Sequence, residues 1–323
     1  MTFQLGILDQ SPLLEGLSVT ESLQQTILLA KLADEYGFSR YWVAEHHNTT
    51  ELAGSSPEIL SAHILANTSR IRVGSGGVML QHYDAYKVAE NFNVLTSLHG
   101  DRVDLGVGNG PGGLIKKNHK NESTFEEKLV ALQNYTQKDT KDQQPLKATP
   151  LSEFEPALIL LGASKNSAHI ANKHNLPYAF AQFFNPTEEE LREASSIYRN
   201  GEGEHKHFIV AVSVVITENQ GEKALYSTPT SFVKAKFQSG KTITFKNEEQ
   251  ATEFVNKIGE SVTLDVQSIV PIVGTTAEVQ QKLNNLAKKY QIDEFLIHLA
   301  SLNKDVRART IIELSNLLSK ISV

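Results

Sequence analysis

The chain has 323 residues and no cysteine. Without thiols it can form no disulfide bond, no thiolate metal site and no cysteine nucleophile. The first ten residues also lack a basic segment followed by an apolar run, so no secretory signal peptide is expected. No apolar run approaches the roughly 20 residues of a membrane-spanning helix. We therefore expect a cytoplasmic protein that does not enter a membrane.

A strong charge of either sign is absent as well. The net charge is -6, with 21% charged and 40% hydrophobic residues, which is the composition of a globular protein with a buried core. A weakly acidic surface gives no reason to expect binding to nucleic acid or to an anionic membrane.

Short apolar segments alternate with amphipathic helical segments along most of the chain. The strands are expected near residues 3–8, 41–44, 71–78, 103–107, 158–161, 178–181, 208–217 and 294–299. Eight strands that alternate with helices predict an α/β fold, a closed (β/α)8 TIM barrel, as a single domain over residues 1–323. Insertions are expected after strands four and seven. The polar segment after Gly113 and the insertion 219–267 are candidate lids.

Two neighbouring predicted strands end in glycines. Gly76 and Gly77 lie at the C-terminal end of one strand, and Gly108 and Gly110 follow the next. Glycine at a strand end indicates strained backbone or the close approach of a flat ligand, although a β-bulge would also explain it. Residues 108–113 satisfy the pattern G-x-G-x-x-G, but the residues after them are polar and uncapped. Because no helix opens there, we reject a dinucleotide-binding fingerprint.

Three ionisable residues, Glu45, His46 and His47, follow the second predicted strand. In an extended chain neighbouring side chains point in opposite directions, so at most one histidine should face the barrel axis. A histidine there suits general acid–base chemistry, and a surface pair is the alternative. The spacing does not favour a metal site. Asp9, Gln10 and His298 also stand at predicted strand ends, where barrel enzymes carry their active sites.

Small polar residues join the fifth strand to the next helix. Gly162, Ala163 and Ser164 lead into a helix that contains Ser167. Hydroxyl groups beside the N–H groups of a helix N-terminus can bind phosphate, and helix capping by Ser164 or Asn166 is a compatible alternative. Phe180, Phe183 and Phe184 could line an apolar cavity or belong to the core.

Taken together, these motifs resemble those of the bacterial luciferase-like flavin monooxygenase family. The resemblance extends from residue 5 to about 186 and returns at 273–275 and 293–294. It implies a TIM barrel that uses reduced FMN, supplied by a separate reductase, and molecular oxygen to oxygenate a small organic substrate. It also implies a homodimer. The segments that carry it are 37–38, 41–47, 70–80, 88–90, 100–108 and 161–164.

The same resemblance assigns roles to individual residues. His46 matches the catalytic histidine and Glu45 an acid of the flavin site. Gly76 and Gly77 match a non-proline cis peptide under the flavin ring. The phosphate ligands match Ser164 and Ser167, and the other cofactor-binding positions are Gly108, Asn109, Gly162 and Ala163.

Asn109 departs from the family, which commonly has an arginine at this position. Asparagine can hydrogen-bond to a phosphate but brings no charge, so we expect weaker binding. Lys165 or Lys116 could supply the charge. Weak binding suits a protein that receives reduced FMN as a diffusing substrate. A non-catalytic flavin-binding protein and a deazaflavin-dependent oxidoreductase remain alternatives.

Overall fold

In the computed structural model, eight parallel strands close into a barrel, as predicted from the sequence. Each strand pairs with its neighbour, and the pairing of β6 with β7 closes the ring. The structure describes residues 3–110, 123–141, 143–184, 187–202, 206–238, 242–245, 247–258 and 261–318. Numbered along the whole chain, the barrel strands are β1 (Gln4–Asp9), β2 (Arg40–Val43), β3 (Arg72–Met79), β4 (Val103–Gly108), β5 (Ala157–Gly162), β6 (Tyr178–Ala181), β7 (Phe208–Ile216) and β12 (Glu294–Leu299).

Helices surround the barrel and connect its strands. Across the described ranges, no helix combines the length and apolar composition that crossing a bilayer requires. The α-helices are α1 (Val19–Glu35), α2 (Pro57–Asn67), α3 (Ala85–His99), α4 (Phe125–Thr136), α5 (Lys138–Lys141), α6 (Lys165–Lys173), α7 (Glu188–Asn200), α8 (Gln220–Tyr226), α9 (Glu248–Ile258), α10 (Thr276–Tyr290) and α11 (Lys304–Leu318).

The insertion after the seventh strand has a sheet of its own. Strands β8 (Thr230–Phe237), β9 (Thr242–Phe245) and β10 (Val262–Ile269) form an antiparallel sheet in the order β10-β8-β9. A short strand, β11 (Ile272–Gly274), then returns the chain to the barrel by pairing with β7. The segment expected as an insertion after strand four falls on residues 111–122, which lie outside the described residues.

The alternation of side chains along the strands produces two apolar layers. The outward-facing side chains pack against the helices and form the larger core. The inward-facing side chains fill the middle of the barrel. These are Leu8, Trp42, Ala44, Ile159, Ala179, Ile209, Ala211 and Leu296.

Below this inner layer, at the N-terminal end of the strands, lies a buried network of charges. The Asp104 carboxylate accepts hydrogen bonds from Arg40 (2.7 Å), Arg72 (2.8 Å) and the indole N–H of Trp42 (2.8 Å). Arg40 also donates to Glu294 (2.9 Å), whose side chain is fully buried. Because each buried charge has partners from neighbouring strands, the network holds β2, β3, β4 and β12 in register.

We expect Glu294→Gln to destabilise the protein in a pH-dependent way. Burial would raise the pKa of Glu294, but hydrogen bonding by His207 and the charge of Arg40 outweigh it and lower this pKa from 4.5 to about 2. The stability that comes from the ionised carboxylate is therefore complete above pH 4.5 and is lost as the pH falls towards 2. At pH 7 the substitution should cost about 3 to 5 kcal/mol, measured by chemical denaturation.

The control is Glu253→Gln on α9, where an exposed carboxylate pairs with Lys257, and its stability should hardly change. The cost of Glu294→Gln should shrink as the pH is lowered from 4.5. A cost that stays constant over that range would contradict the role of the ionised carboxylate.

Candidate active site

The predicted site residues stand at one end of the barrel. His46 follows β2, Gly76 and Gly77 lie in β3, Gly108 ends β4 and Gly162 ends β5. These four strands are parallel and adjacent. Their carboxyl ends therefore share one rim, which is where barrel enzymes carry their active sites.

Alternation at the rim separates residues that are neighbours in sequence. Gln10 points inward and contacts His46 and His298, whereas Asp9 points outward and accepts a hydrogen bond from the buried Arg307 (2.6 Å). In the same way His46 faces the barrel interior, while His47 turns outward to Glu45 (2.6 Å). Only one histidine of the pair thus faces the axis, as the sequence predicts.

The inward-facing polar residues form a connected row. Nε2 of His46 lies 3.5 Å from Nε2 of Gln10, and Oε1 of Gln10 lies 3.0 Å from Nε2 of His298. The Nδ1 atom of His298 is 2.8 Å from the hydroxyl of Ser213. The ring of Phe183 stacks on His298 at a centroid distance of 4.8 Å. Nδ1 of His46 is buried and has no hydrogen-bond partner among the described residues.

Both histidines of this row are neutral near pH 7. Burial lowers the pKa of His46 to about 4, although the charge of Glu45 opposes the shift. Burial also lowers the pKa of His298 to about 4, and the positive charge of Arg307 adds to this effect. A neutral imidazole has one donor and one acceptor nitrogen, so each ring can bind a polar group or hold a proton at a defined atom.

Glu45 stabilises the rim through hydrogen bonds on its outward-facing side. Its carboxylate accepts hydrogen bonds from the backbone N–H of Met79 (2.8 Å) and the hydroxyl of Tyr83 (2.5 Å), in addition to the contact with His47. Burial, reinforced by the hydrogen bond to Glu45, raises the pKa of Tyr83 well above its usual range. These contacts fix the segment that follows Gly77 relative to β2.

Close packing between β3 and β4 requires glycine at some positions of these strands but not at others. A Cβ atom on Gly74 would lie 1.9 Å from the carbonyl oxygen of Asp104, and one on Gly106 would lie 2.2 Å from that of Ser75. At these positions the close neighbour is the adjacent strand, not a ligand. A Cβ atom on Gly108 would meet nothing closer than 3.6 Å.

The Gly76–Gly77 segment combines two of the features considered from the sequence. The peptide bond between the two residues is cis, as the family resemblance implies. The register of β3 against β4 also shifts between Gly76 and Val78, which is the irregularity of a β-bulge.

The start of α6 has the hydroxyl groups that a phosphate site requires. Ser164 caps the helix and accepts from the backbone N–H of Ser167. The Ser167 hydroxyl lies 2.8 Å from that of Tyr178, in space that a Cβ atom on Gly162 would fill. Ala163 joins the strand to this cap. The capping interpretation is therefore confirmed for Ser164.

The sequence offers two lysines that could supply positive charge near this helix, and the one that the structure describes pairs with another side chain. Asn109 is exposed at the end of β4. Lys165 pairs with Glu193 of α7 at 3.5 Å, and Lys116 lies outside the described residues. Among the residues that the structure describes, no group of three or more histidine, aspartate or glutamate side chains is placed to hold a metal ion.

Sequence reasoning missed two residues of this region, Ser213 and Tyr83. The unbroken apolar run of β7 gave no reason to single out Ser213, although strict alternation from Ile209 and Ala211 places it on the inner face. Tyr83 belongs to no strand, and its contact with Glu45 depends on the path of the chain after β3.

The chain is similar to known proteins over most of its length. A family model described as luciferase-like monooxygenase matches residues 3–290. The N-acetyl-S-alkylcysteine monooxygenase of Bacillus subtilis is 38% identical over 308 residues, which cover 91% of this chain and 92% of that protein. The crystal structure of apo-MsnO8 superposes with a TM-score of 0.79 at 31% identity and covers 98% of both chains.

More distant structures share the fold alone. The oxygenating constituent of 3,6-diketocamphane monooxygenase from Pseudomonas putida, in complex with FMN, has a TM-score of 0.66 at 17% identity over 98% of this chain and 96% of that one. An F420-dependent secondary alcohol dehydrogenase has a TM-score of 0.64 at 13% identity over 97% and 99%. The fold thus accommodates either cofactor.

Gly106 and Gly108 allow a matched test of the packing argument. We expect Gly106→Ala to lower the free energy of unfolding by about 1 to 3 kcal/mol, because its methyl group would overlap the backbone of β3. Gly108→Ala should have a much smaller effect, since its surroundings leave room. Chemical denaturation of both variants measures the difference, and equal losses would refute the assignment.

Proposed function

This chain belongs to the luciferase-like monooxygenase family and is a monooxygenase, and we propose that it uses reduced FMN and O2 to oxygenate the sulfur of a small thioether. The substrate class we propose is the N-acetyl-S-alkylcysteines, on which the relative at 38% identity acts according to its name. The physical support is the neutral rim, where His46 offers a hydrogen bond and Phe183 an aromatic surface. Such a rim suits a neutral sulfur with an apolar substituent.

The observation that carries the proposal is the buried, unsatisfied Nδ1 atom of His46 at this rim. Buried polar atoms are almost always hydrogen-bonded, because leaving one unsatisfied costs about 1 to 3 kcal/mol. An atom of this kind at the carboxyl end of a barrel strand favours a bound molecule that completes its hydrogen bonding. The residues therefore fit a cofactor and a substrate at this end of the barrel.

We assign the FMN site to the rim between β2 and α6. The N-terminus of α6 with Ser164 and Ser167 would hold the phosphate, next to Gly162 and Ala163. The flavin ring would lie near Gly76, Gly77 and Gly108, whose backbones carry no side chains. Asn109 would contribute a hydrogen bond without charge, and Glu45 supports the ring site through Met79.

Reduced FMN would supply the electrons that activate O2. The protein's own contribution follows from the contacts described above. His46 would form a hydrogen bond through its buried Nδ1 atom to the reacting molecule, and the neutral state of its ring near pH 7 keeps one donor and one acceptor nitrogen available. Phe183 and Phe184 would exclude water from the reacting atoms.

Three further assignments complete the proposal. The whole chain forms one domain in which the insertion 219–267 acts as a lid, since Phe232 of β8 stacks on Phe184 beside the rim at 6.5 Å. A separate reductase provides reduced FMN, which suits the uncharged Asn109. The protein forms a homodimer, as the family resemblance implies.

The direct test supplies reduced FMN, ¹⁸O₂ and a series of N-acetyl-S-alkylcysteines. We expect one labelled oxygen atom in the product, detected by mass spectrometry. A parallel assay with reduced F420 should give no product, and aldehydes and ketones should be poorer substrates. Oxidation supported by F420 alone, or turnover of aldehydes but not thioethers, would overturn the cofactor or the substrate assignment respectively.

His46→Asn should lower the rate of product formation by about 10²-fold or more, the usual contribution of a positioned hydrogen-bond donor in an active site. The binding of FMN should change little, because the phosphate is held at α6. Single-turnover kinetics measure the rate, and His63→Asn, at an exposed position on α2, is the control. Equal rates in the wild type and His46→Asn would remove His46 from the mechanism.

Ser164→Ala should weaken the binding of FMN but not that of riboflavin, which lacks the phosphate. The removal of an N-cap also costs stability, about 1 kcal/mol, so a second N-cap serves as the control. Ser18→Ala removes the N-cap and capping box of α1. Flavin titration of both variants should show weaker FMN binding for Ser164→Ala alone. A similar loss for riboflavin would place the phosphate elsewhere.

A further inference from the structure

One glutamine side chain lies between two histidines at the rim of the barrel. Gln10 contacts Nε2 of His46 with its amide nitrogen and Nε2 of His298 with its amide oxygen. The three residues come from the ends of β1, β2 and β12, and β1 pairs with both of the other strands. The contact therefore depends on the pairing of β1 with β2 and with β12.

An amide group that bridges two neutral histidines forces them into opposite tautomers. Its oxygen can only accept a hydrogen bond and its nitrogen can only donate one. The histidine on the oxygen must carry its proton on the contacting nitrogen, and the histidine on the nitrogen must not. Because both rings contact Gln10 through Nε2, they cannot both be protonated at that atom.

The placement of the Gln10 amide, with its oxygen on His298 and its nitrogen on His46, gives the direction of the row. His298 donates from Nε2 to Oε1 of Gln10 at 3.0 Å, so its Nδ1 atom accepts from the Ser213 hydroxyl at 2.8 Å. Gln10 in turn donates to Nε2 of His46, and the single proton of that ring is then on Nδ1. The stacked ring of Phe183 restrains the orientation of His298.

We propose that Gln10 and His298 are positioning residues that place the proton of His46 on its buried Nδ1 atom. Nδ1 is the atom that lacks a partner among the described residues, so His46 presents a donor to whatever binds at the rim. This inference rests on the proposed function for its catalytic meaning. The tautomers themselves are a property of the ligand-free protein.

Burial keeps the two rings neutral, because the groups that flank each ring act on it in opposite directions. Glu45 and His47 flank His46, and their effects on it oppose each other. Arg307 and Asp9 act on His298 in the same opposing manner. Burial is the largest effect on either ring, and it favours the neutral form in which a tautomer is defined.

Nitrogen NMR of ¹⁵N-histidine-labelled protein without ligand tests the proposal. Signals of the two rings are assigned by their loss in His46→Asn and His298→Asn. We expect His46 to be protonated at Nδ1 and His298 at Nε2 near pH 7. The same tautomer in both rings, or the reverse assignment, would overturn the proposal whatever the substrate or cofactor is.

Two substitutions at Gln10 sharpen the test. Gln10→Glu replaces the donor by an acceptor, so His46 should move its proton to Nε2 or become charged. Gln10→Leu removes both contacts, and His46 should then populate a mixture of tautomers. If His46 keeps its proton on Nδ1 in both variants, Gln10 does not select the tautomer.

Activity gives a second readout of the same variants. Gln10→Glu should lower the rate of product formation about as much as His46→Asn, with little change in FMN affinity. Gln281→Glu, at an exposed position on α10, is the matched control and should behave as wild type. Thermal unfolding of each variant separates this effect from a loss of folding. An unchanged rate in Gln10→Glu would refute the positioning role, even if the protein oxygenates thioethers.

Discussion

The two-residue alternation of side chains along the barrel strands determines which functional groups face the barrel interior. On β12 the inward-facing positions are Glu294, Leu296 and His298, which place a charge at the bottom, an apolar residue in the middle and an imidazole at the rim. β2 repeats the order with Arg40, Trp42 and, past its end, His46. A shift of one residue in either strand would turn its whole inner set towards the helices.

This alternation ties the stability of the lower end of the barrel to the chemistry of the upper end. Buried ion pairs contribute little net stability compared with apolar packing, but a mismatched strand would leave one of their charges unpaired at a high cost. Arg40 contacts Asp104 and Glu294 at once, so it links strands on both sides of β2. The register fixed there is the register that brings His46 to Gln10 at the rim.

Much of the fold could be predicted because its signals are local. Eight apolar segments that alternate with helices are visible in the sequence, and alternation also predicts that at most one of His46 and His47 faces the barrel axis. The bridge between Gln10 and His298 spans 288 positions and exists only once β1 pairs with β12. Gly74 and Gly106 show the same limit, since the atoms that require each glycine belong to the paired strand and not to its own segment. Pairing across the barrel therefore could not be derived from local patterns.

The rim also shows how burial replaces charge as a means of controlling protons. Arg307 and Asp9 form an ion pair on the outer side of β1, and the Glu45 carboxylate accepts hydrogen bonds from Met79 and Tyr83. The inward-facing residues of the rim are therefore neutral, and each hydrogen bond between them has a defined donor and a defined acceptor. A charged residue in that place would attract water and ions, whereas a row of neutral donors and acceptors can be satisfied by a reactant alone. Control of the proton then depends on which atom of a ring carries it, and that is decided by one amide.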